Sequence, residues 1–367
     1  MRIRFVSSTP MNVFGGSGTY VGIETLARSM RALGVEVDIV ASQLRFPILT
    51  ARRLLFNQSL KFRRGNDYDV TVGFDMDGYT IAGTGPSAHV AAIKGVIADE
   101  MRFESGLTKM TMRLQAACEA EHVRRADLVM TTSAYAAERI RQLYGVCQTP
   151  RIVPEPIDLA AWEELAQHSA PPPVDKFIVL TVCRFYPRKR LPVLLATADR
   201  LRSRIPRLEV RIVGGGPEEK RLRTICRKRN LEKVVVWRQN ISGPELAREY
   251  SQCHVFCLPS VQEGFGIVFL EAMANGRPIV AVRAGAVPEV VTHGLLVEPD
   301  NDRELADAIE RLYREPLLRE SLGNSGRALV RRFDGPVVAR MFLRELEQFM
   351  VRRADASPQI RTIRSVG

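Results

Sequence analysis

The chain alternates predicted strands and helices in two successive runs, and three consecutive prolines separate the runs. In the first run, short apolar strands at residues 3–7 and 35–41 flank a helix with apolar periodicity at residues 20–33. The second run starts with a strand at residues 177–182 and continues to residue 331. Strands that alternate with helices favour parallel sheets covered on both faces. The pattern predicts an α/β chain of two Rossmann-like, doubly wound domains that face each other across a cleft.

The proline triplet Pro171-Pro172-Pro173 can continue neither a helix nor a strand, and it predicts a stiff linker. We expect an N-terminal domain over residues 1–165 and a C-terminal domain over residues 166–336. Apolar spacing predicts a last helix over residues 337–353. Residues 354–367 mix Ser, Pro, Arg and Gly, and we expect this tail to be mobile.

The composition is that of a globular protein. The 367 residues are 46% hydrophobic, and no uncharged apolar run reaches the length of about 18 residues that a transmembrane helix requires. The chain starts directly with a predicted strand, so we expect no signal peptide. The six cysteines and five histidines show no metal-ligand spacing, and unpaired thiols favour a reducing compartment. We therefore predict a cytoplasmic protein that binds no metal.

The net charge of +12 is compatible with three kinds of partner: nucleic acid, an anionic membrane or a phosphorylated small molecule. No basic motif with interleaved aromatic residues is visible, so we expect no nucleic acid. Residues 45–64 contain six basic residues, no acidic residue and many apolar ones. This segment could be an amphipathic helix at an anionic membrane, or a helix packed on the sheet with its charges in water.

Two carboxylates dominate the second run. Glu263 and Glu271 are separated by seven residues, with Gly264-Phe265-Gly266 directly after the first. Leu258-Pro259-Ser260 ends a predicted strand, and the residues around Glu271 predict a helix that Gly276 closes. Glu263 is therefore expected at a strand-to-helix corner, where exposed N–H groups at the helix N-terminus suit a polar or anionic ligand.

Cations and glycine loops accompany these carboxylates. Arg184 and Lys189 follow the strand at residues 177–182, where two cations can bind a diphosphate. Gly15-Gly16 follows the first strand and lets the backbone approach a phosphate closely. The combination of cations, close backbone and carboxylates suits a phosphate-bearing sugar.

These motifs resemble those of the retaining glycosyltransferases of family four, which have the GT-B fold. The resemblance covers roughly residues 1–350, and its specificity comes from the order in which the motifs occur. The motifs are Gly15-Gly16, Ala126-Asp127-Leu128-Val129, Arg184 with Lys189, Val213-Gly214-Gly215-Gly216-Pro217, Pro259-Ser260, Glu263 with Glu271, and Ala284-Gly285-Ala286-Val287-Pro288-Glu289.

The resemblance implies a nucleoside-diphosphate sugar as donor, held mainly by the C-terminal domain. It assigns catalytic roles to three residues: Glu263 would hold sugar hydroxyls and phosphate, while Arg184 and Lys189 neutralise the leaving diphosphate. Glu271 would accept hydrogen bonds from the ribose. The donor-binding residues that it implies are Gly15, Gly16, Gly214, Gln239, Asn240, Ile241, Gly264, Phe265, Gly266, Ile267, Val268 and Glu271.

By the same resemblance, no cofactor and no divalent metal is needed, because the two cations take the place of the metal. The last helix is expected to cross back onto the N-terminal domain. The acceptor stays unidentified: a sugar, a lipid-linked molecule or another small molecule.

The chain departs from the family pattern at several positions. Lys94 stands where a histidine is frequent, and we treat it as a candidate contact to the acceptor or to phosphate. Glu155-Pro156 replaces the usual Asn-Gly near the domain junction. Gln239 and Arg190 each stand where glycine is common, and Gly215 replaces a frequent aspartate.

Two alternatives remain open. The first is a nucleotide-sugar epimerase or a phosphorylase on the same two-domain fold. The second is a basic binding protein that kept the fold and has no catalytic activity.

Overall fold

The computed structural model describes residues 1–8, 18–43, 48–62 and 68–363. Within these residues the strands form two six-stranded sheets, and every recorded strand pair is parallel. Helices separate the strands along the chain. The prediction of two doubly wound α/β domains is confirmed.

The N-terminal sheet has the strand order β2-β1-β3-β4-β5-β6. Its strands are β1 (Arg2–Ser7), β2 (Glu36–Ala41), β3 (Val70–Phe74), β4 (Ala88–Ile93), β5 (Leu128–Thr131) and β6 (Arg151–Ile152). Its helices are α1 (Gly18–Ala32), α2 (Leu49–Leu60), α3 (Ile97–Glu100), α4 (Gly106–Arg125) and α5 (Ala134–Tyr144), with a 3₁₀ turn at Met101–Phe103.

The C-terminal sheet has the order β12-β11-β10-β7-β8-β9. Its strands are β7 (Phe177–Val182), β8 (Leu208–Val213), β9 (Val235–Arg238), β10 (Val255–Leu258), β11 (Ile279–Val282) and β12 (Leu295–Val297). The helices from the domain junction onward are α6 (Leu159–Gln167), α7 (Leu191–Leu201), α8 (Glu219–Lys228), α9 (Gly243–Gln252), α10 (Ile267–Ala274), α11 (Val287–Val290), α12 (Asp302–Arg314), α13 (Pro316–Leu329) and α14 (Gly335–Ile363), with 3₁₀ turns at Pro187–Lys189 and Val330–Phe333.

Each sheet has its own apolar core. Strand residues of the N-terminal core alternate toward α1 on one face, and Val338, Phe342 and Leu346 of α14 complete that core. The larger second core lies around β7, β8 and β10. Because α14 follows the last C-terminal helix and packs on α1, it crosses back to the first domain.

The domain junction differs in detail from the sequence-based boundaries. The predicted boundary between residues 165 and 166 falls inside α6, and Leu159 and Trp162 of this helix pack against the second core. The last helix does not end at residue 353 but continues to Ile363, because Ala354 and Ala356 are strong helix formers. Mobility of the tail stays a prediction, and residues 364–367 lie outside the described part.

The helix predicted within residues 45–64 is α2 (Leu49–Leu60), while residues 45–47 and 63–64 of that segment lie outside the described part. Phe56 and Leu60 of α2 are buried in a small core with Val6 and Ile81. The helix therefore packs on the sheet with one face. In the described residues, no helix has both the length and the apolar character to cross a bilayer.

Candidate active site

Four of the predicted site segments follow neighbouring strands of the C-terminal sheet. The Glu263 corner follows β10, Arg184 follows β7 and Gly214 follows β8. Gln239 follows β9, the next strand in the sheet. Because parallel strands end at the same edge, the sheet order brings these segments to one rim. This rim is the place where ligands bind in open α/β sheets.

Lys189 and Glu263 form the central contact of the rim. The Lys189 ammonium lies 2.6 Å from Glu263 Oε1, and the two side chains are only 12% and 9% exposed. Lys189 ends the short 3₁₀ turn after β7. The structure therefore joins two of the three predicted catalytic residues. The third, Arg184, is exposed on the same connection.

Arg190 shows why glycine is common at its position in the resembling family. Its φ angle is 52°, in the left-handed region that favours glycine. This turn starts α7 directly after Lys189. The Arg190 side chain pairs with Asp300 at 3.0 Å. The chain thus accepts a strained residue beside Lys189, and such strain is concentrated at functional sites.

The Glu263 corner depends on Gly266. Its φ angle is 92°, and a Cβ there would lie 2.6 Å from the Phe269 ring. The chain then enters α10, whose first backbone N–H groups have no partner within the helix. Phe265 is buried against Phe333, with ring centroids 5.6 Å apart. Phe265 can therefore meet a ligand through its backbone but not through its ring.

Glu271 lies buried in the body of α10. Tyr250 donates its hydroxyl to Glu271 Oε2 at 2.7 Å. Burial raises the pKa of Glu271 to about 7, although the bond from Tyr250 works in the opposite direction. Near neutral pH this carboxyl can therefore both accept and donate hydrogen bonds. Val268 precedes it by one turn and is only partly buried.

The glycine run after β8 packs tightly against the connection that carries Arg184. Gly214 has a φ of 129°, and a Cβ there would lie 2.0 Å from the Cys183 carbonyl oxygen. Its N–H donates to Arg238 O at 2.9 Å, at the end of β9. The next residues, Gln239 and Asn240, are exposed, and Ile241 is partly buried. Their contact with a nucleobase stays a prediction.

The other face of the cleft is the carboxyl edge of the N-terminal sheet. Lys94 follows β4, and its ammonium lies 2.8 Å from Glu155 Oε2. The two side chains are 9% and 7% exposed. Two of the charged departures from the family pattern, Lys94 and Glu155, therefore form one ion pair. Opposite charges at two unusual positions were the signal in the sequence that could have revealed the pair.

Sequence reasoning missed Asp75. This residue follows β3 with a φ of 53°, and its Oδ1 accepts the N–H of Lys94 at 2.8 Å. Burial raises the pKa of Asp75 to about 6. A strained, non-glycine residue with a perturbed carboxyl at a strand end is typical of functional sites.

Gly15 and Gly16 lie outside the described residues. Gly18 begins α1. A Cβ on Gly18 would lie 2.8 Å from Ile267 Cγ2, at the start of α10. The start of α1 therefore faces the Glu263 corner across the cleft.

Gly264 is a direct contact between the domains. Its carbonyl oxygen accepts hydrogen bonds from the hydroxyls of Thr132, at 3.1 Å, and Ser133, at 2.7 Å. A Cβ on Gly264 would lie 2.7 Å from the Lys94 carbonyl oxygen. Only glycine fits between the two domains at this point.

Within the described residues, no group of three or more His, Cys, Asp or Glu side chains is arranged to hold a metal ion. The six cysteines are unpaired, and Cys147 is exposed while the other five are buried. His89 and His122 contact each other through their Nε2 atoms at 2.8 Å inside the N-terminal domain.

Solved structures share this two-domain architecture. Sucrose-phosphate synthase from Thermosynechococcus elongatus matches with a TM-score of 0.82 at 21% identity, over 96% of this chain and 99% of that one. Anabaena HepE in complex with UDP and glucose matches with a TM-score of 0.72 at 18% identity, over 95% and 99%. The fold is that of the GT-B glycosyltransferases, as the sequence indicated.

Sequence comparison gives the family. Residues 163–329 match the model of the family described as glycosyl transferases group 1, and this match confirms the resemblance seen in the motifs.

Among curated relatives, the D-inositol 3-phosphate glycosyltransferase of Pseudarthrobacter chlorophenolicus is 33% identical over 54% of this chain and 50% of its own length. A GDP-mannose-dependent alpha-(1-6)-phosphatidylinositol monomannoside mannosyltransferase of Mycolicibacterium smegmatis is 28% identical over 66% and 67%. The match thus spans about half the length of the first relative.

Proposed function

We propose that this protein is a retaining, metal-independent glycosyltransferase that moves a sugar from a nucleoside-diphosphate sugar to an acceptor in the cleft. The observation that carries the proposal is the contact between Lys189 and Glu263 at 2.6 Å, at a rim formed by four neighbouring strand ends. The rim also presents the exposed Arg184 and the N-terminus of α10. It therefore combines cations, N–H donors and a carboxylate at one place.

The proposed chemistry is electrostatic. When the bond from the anomeric carbon to the diphosphate breaks, negative charge grows on the β-phosphate oxygen. Lys189 and Arg184 would stabilise that charge, and the N–H groups at the start of α10 would add to the effect. Before the donor binds, Glu263 holds Lys189 in place. Once the donor phosphate also contacts the Lys189 ammonium, Glu263 would accept hydrogen bonds from sugar hydroxyls.

We propose that Glu271 binds the ribose. Its buried carboxyl already accepts one hydrogen bond from Tyr250 and keeps further acceptor capacity. Contacts other than that of Glu271 decide which nucleobase and which sugar the donor carries. The printed names of similar proteins include GDP-mannose-dependent enzymes and a complex with UDP and glucose, so both nucleotides are candidates for this chain.

A thermal-shift screen with the sugars of UDP, GDP, ADP and dTDP tests donor binding, because a ligand of the native state raises the melting temperature. The hits are then followed by release of the free nucleotide, with and without EDTA. We expect turnover that EDTA leaves unchanged. The anomeric proton coupling in the product, measured by NMR, tests retention of configuration. Loss of activity with EDTA would contradict metal independence.

The alternatives predict different products. An epimerase converts the nucleotide sugar when no acceptor is present, and a phosphorylase with a lysine-bound pyridoxal cofactor gives a coloured preparation. A binding protein without catalytic activity shows a thermal shift but no turnover.

We further propose that the acceptor is lipid-linked and that the protein contacts the membrane peripherally from the cytoplasm. Helix α2 contacts α4, and Leu54 of α2 and Met112 of α4 both pack against the same small core. Neither 45–64 nor 105–118 contains an acidic residue. The large apolar side chains exposed on this two-helix surface are Ile48, Leu49, Leu55, Phe62, Leu107, Met110 and Leu114.

The charges of the two-helix surface favour anionic lipid over neutral lipid. Lys61, Lys109 and Arg113 are exposed beside the apolar residues. Basic and apolar side chains on one face are typical of helices that lie at a membrane surface. Because α2 also packs on the sheet, the helix would bind the membrane without leaving the domain.

Limited trypsin digestion tests this contact. We expect vesicles of phosphatidylcholine with phosphatidylglycerol to protect residues 45–64 and 105–118, and vesicles of phosphatidylcholine alone to protect them much less. The double variant Leu107→Gln, Met110→Gln should lose protection, while Leu317→Gln, on the C-terminal domain, serves as the control for an exposed leucine. Equal cleavage with both vesicles argues against the membrane contact.

A further inference from the structure

Among the described residues, three hydrogen-bonded contacts beside the candidate active site join the two domains. The first is the Gly264 carbonyl oxygen, which accepts from Thr132 and Ser133 as described above. Gly264 follows Glu263 directly in the chain. A displacement of Gly264 therefore moves the backbone that positions the carboxylate bound to Lys189.

The second contact is made by Glu289 of the C-terminal domain at the start of α5 in the N-terminal domain. Its two carboxylate oxygens accept the N–H groups of Ala134 and Tyr135, each at 2.7 Å. A carboxylate at a helix N-terminus is favoured by the helix dipole and by the unpaired N–H groups there. One domain thus caps a helix of the other domain.

The third contact is the ion pair between Arg188 and Glu100, at 3.0 Å. Its side chains are 13% and 24% exposed, so water screens the pair only weakly. Arg188 precedes Lys189 in the chain, and its carbonyl oxygen accepts the N–H of Val261 at 2.9 Å. This contact therefore reaches the connection that carries Lys189 and the segment that leads to the Glu263 corner.

Glu289 is also tied to the corner from its own side. The N–H of Ala286, at the start of α11, donates to the Glu263 carbonyl oxygen at 3.0 Å. Gly285 packs against the same residue, since a Cβ there would lie 2.8 Å from the Glu263 nitrogen. A displacement of Glu289 would therefore also move Glu263, because both are attached to the short helix α11.

We infer that these contacts form a closure latch, made of Thr132, Ser133, Glu100, Arg188 and Glu289, that sets the position of Lys189 and Glu263 when the two domains close. Ser133 and Glu289 are positioning residues, since they act through Glu263. The latch itself stands on the contacts between the domains. Its effect on turnover rests on the proposed function.

Distances between the domains test the latch without any substrate. Cys147 is exposed in the N-terminal domain, whereas the other five cysteines are buried, and Lys220→Cys adds an exposed site on α8. Spin labels at these two positions report the domain separation by pulsed electron paramagnetic resonance. We expect Glu289→Ala to shift the distribution to longer or broader distances, and Glu289→Gln, which keeps one acceptor oxygen, to shift it less.

Glu298→Ala is the matched control. Glu298 is an exposed carboxylate of the same domain that pairs with Arg283 and not with the other domain. It should leave the distances as in the unsubstituted protein. Identical distance distributions for Glu289→Ala and Glu298→Ala would overturn the latch.

Turnover then tests positioning. With UDP-glucose or GDP-mannose, whichever the protein turns over, we expect Glu289→Ala to lower kcat about tenfold and to change the donor KM less than about threefold, because the donor sits mainly on the C-terminal domain. Ser133→Thr should keep activity better than Ser133→Ala. A longer distance with unchanged kcat would overturn the positioning role. Absence of turnover in the unsubstituted protein contradicts the proposed function, while the distances still decide the latch.

Discussion

Two lysine–glutamate pairs lie on opposite sides of the cleft, one in each domain. Lys189 contacts Glu263 at 2.6 Å, and Lys94 contacts Glu155 at 2.8 Å. Both pairs follow strand ends, and both are nearly buried. By distance and burial alone, the two pairs are equivalent.

Their surroundings differ. Lys189 and Glu263 lie beside the N-terminus of α10 and on the same connection as the exposed Arg184, so an anion has several groups to bind. The Lys94 ammonium lies 5.6 Å from the centre of the Phe74 ring and has Glu155 as its carboxylate partner. We infer that the first pair exchanges partners with a ligand, whereas the second stays closed and supports the wall of the cleft.

The largest effect that tests this difference between the two pairs is expected when one partner of the Lys94–Glu155 pair is removed. Lys94→Ala leaves Glu155 buried without its counter-charge, which costs about 3–5 kcal/mol of unfolding free energy. Urea unfolding measures the loss. The double variant Lys94→Met, Glu155→Gln should regain most of it, because no charge is left buried. A loss below about 1 kcal/mol in the single variant would contradict a structural role.

The corresponding change in the first pair should affect chemistry more than stability. We expect Lys189→Ala to lower turnover at least about tenfold, since a cation beside the leaving phosphate is lost. Lys189→Arg keeps the charge and serves as the control for charge. Nucleotide release from the accepted donor is the measurement, with urea unfolding in parallel. Near-normal turnover of Lys189→Ala would refute the assigned role.

Gly264 joins the two walls, because it lies between Glu263 and the carbonyl oxygen of Lys94. Gly264→Ala places a Cβ where only 2.7 Å is available to that backbone oxygen. We expect the domains to part and turnover to fall about tenfold. Gly215→Ala is the control, as its Cβ would have the Gln239 side chain at 3.7 Å as nearest neighbour. Full activity of Gly264→Ala would show that turnover does not depend on this close contact between the domains.

The smallest expected effect is a pH dependence of stability that comes from Glu271. Burial raises the pKa of Glu271 to about 7, above the value of 4.5 that an unperturbed glutamate has. The unfolded chain therefore releases this proton at lower pH than the folded one, and the stability gained at pH 4 is lost as pH rises through 7. Glu271→Gln removes the dependence, and should be more stable than the parent by at least about 1 kcal/mol at pH 8.

Urea unfolding at pH 5 and pH 8 measures this difference in stability. Thermal shift with the donor measures how the same variants bind it. Glu271→Ala should weaken donor binding, while Glu271→Gln should weaken it less because an acceptor oxygen remains. A parent and a Glu271→Gln variant with the same pH profile would contradict the shifted pKa.

Much of the active-site rim could be predicted from local patterns. The strand at residues 177–182 was predicted at its observed ends, and the Glu263 corner was predicted as a strand-to-helix turn. These features depend on periodicity and on glycine and proline, which act over a few residues. The contact between Lys189 and Glu263 needed more than local patterns, because it depends on β7 and β10 being neighbours in the sheet.

Other features of the site could not be predicted in this way. The pKa of Asp75 is raised by burial, and the segments that bury this carboxyl are distant in sequence. The last helix was predicted too short, since its end has no strong stop signal before residue 354. The contacts of the latch could not be predicted either. Glu289 belongs to one of the family motifs, but its contact with α5 exists only because the other domain presents the N–H groups of Ala134 and Tyr135 to it.

The sequence by itself determined the two-domain α/β architecture, the family motifs and the corner that carries Glu263, because alternating strand and helix patterns and glycine turns are local properties of the chain. Only the tertiary structure decided which charges meet. Lys94 and Glu155 are 61 residues apart, and Ala134 and Glu289 are 155 apart. Such pairs exist because strand order and domain packing bring distant strand ends together, and no short-range pattern records that geometry.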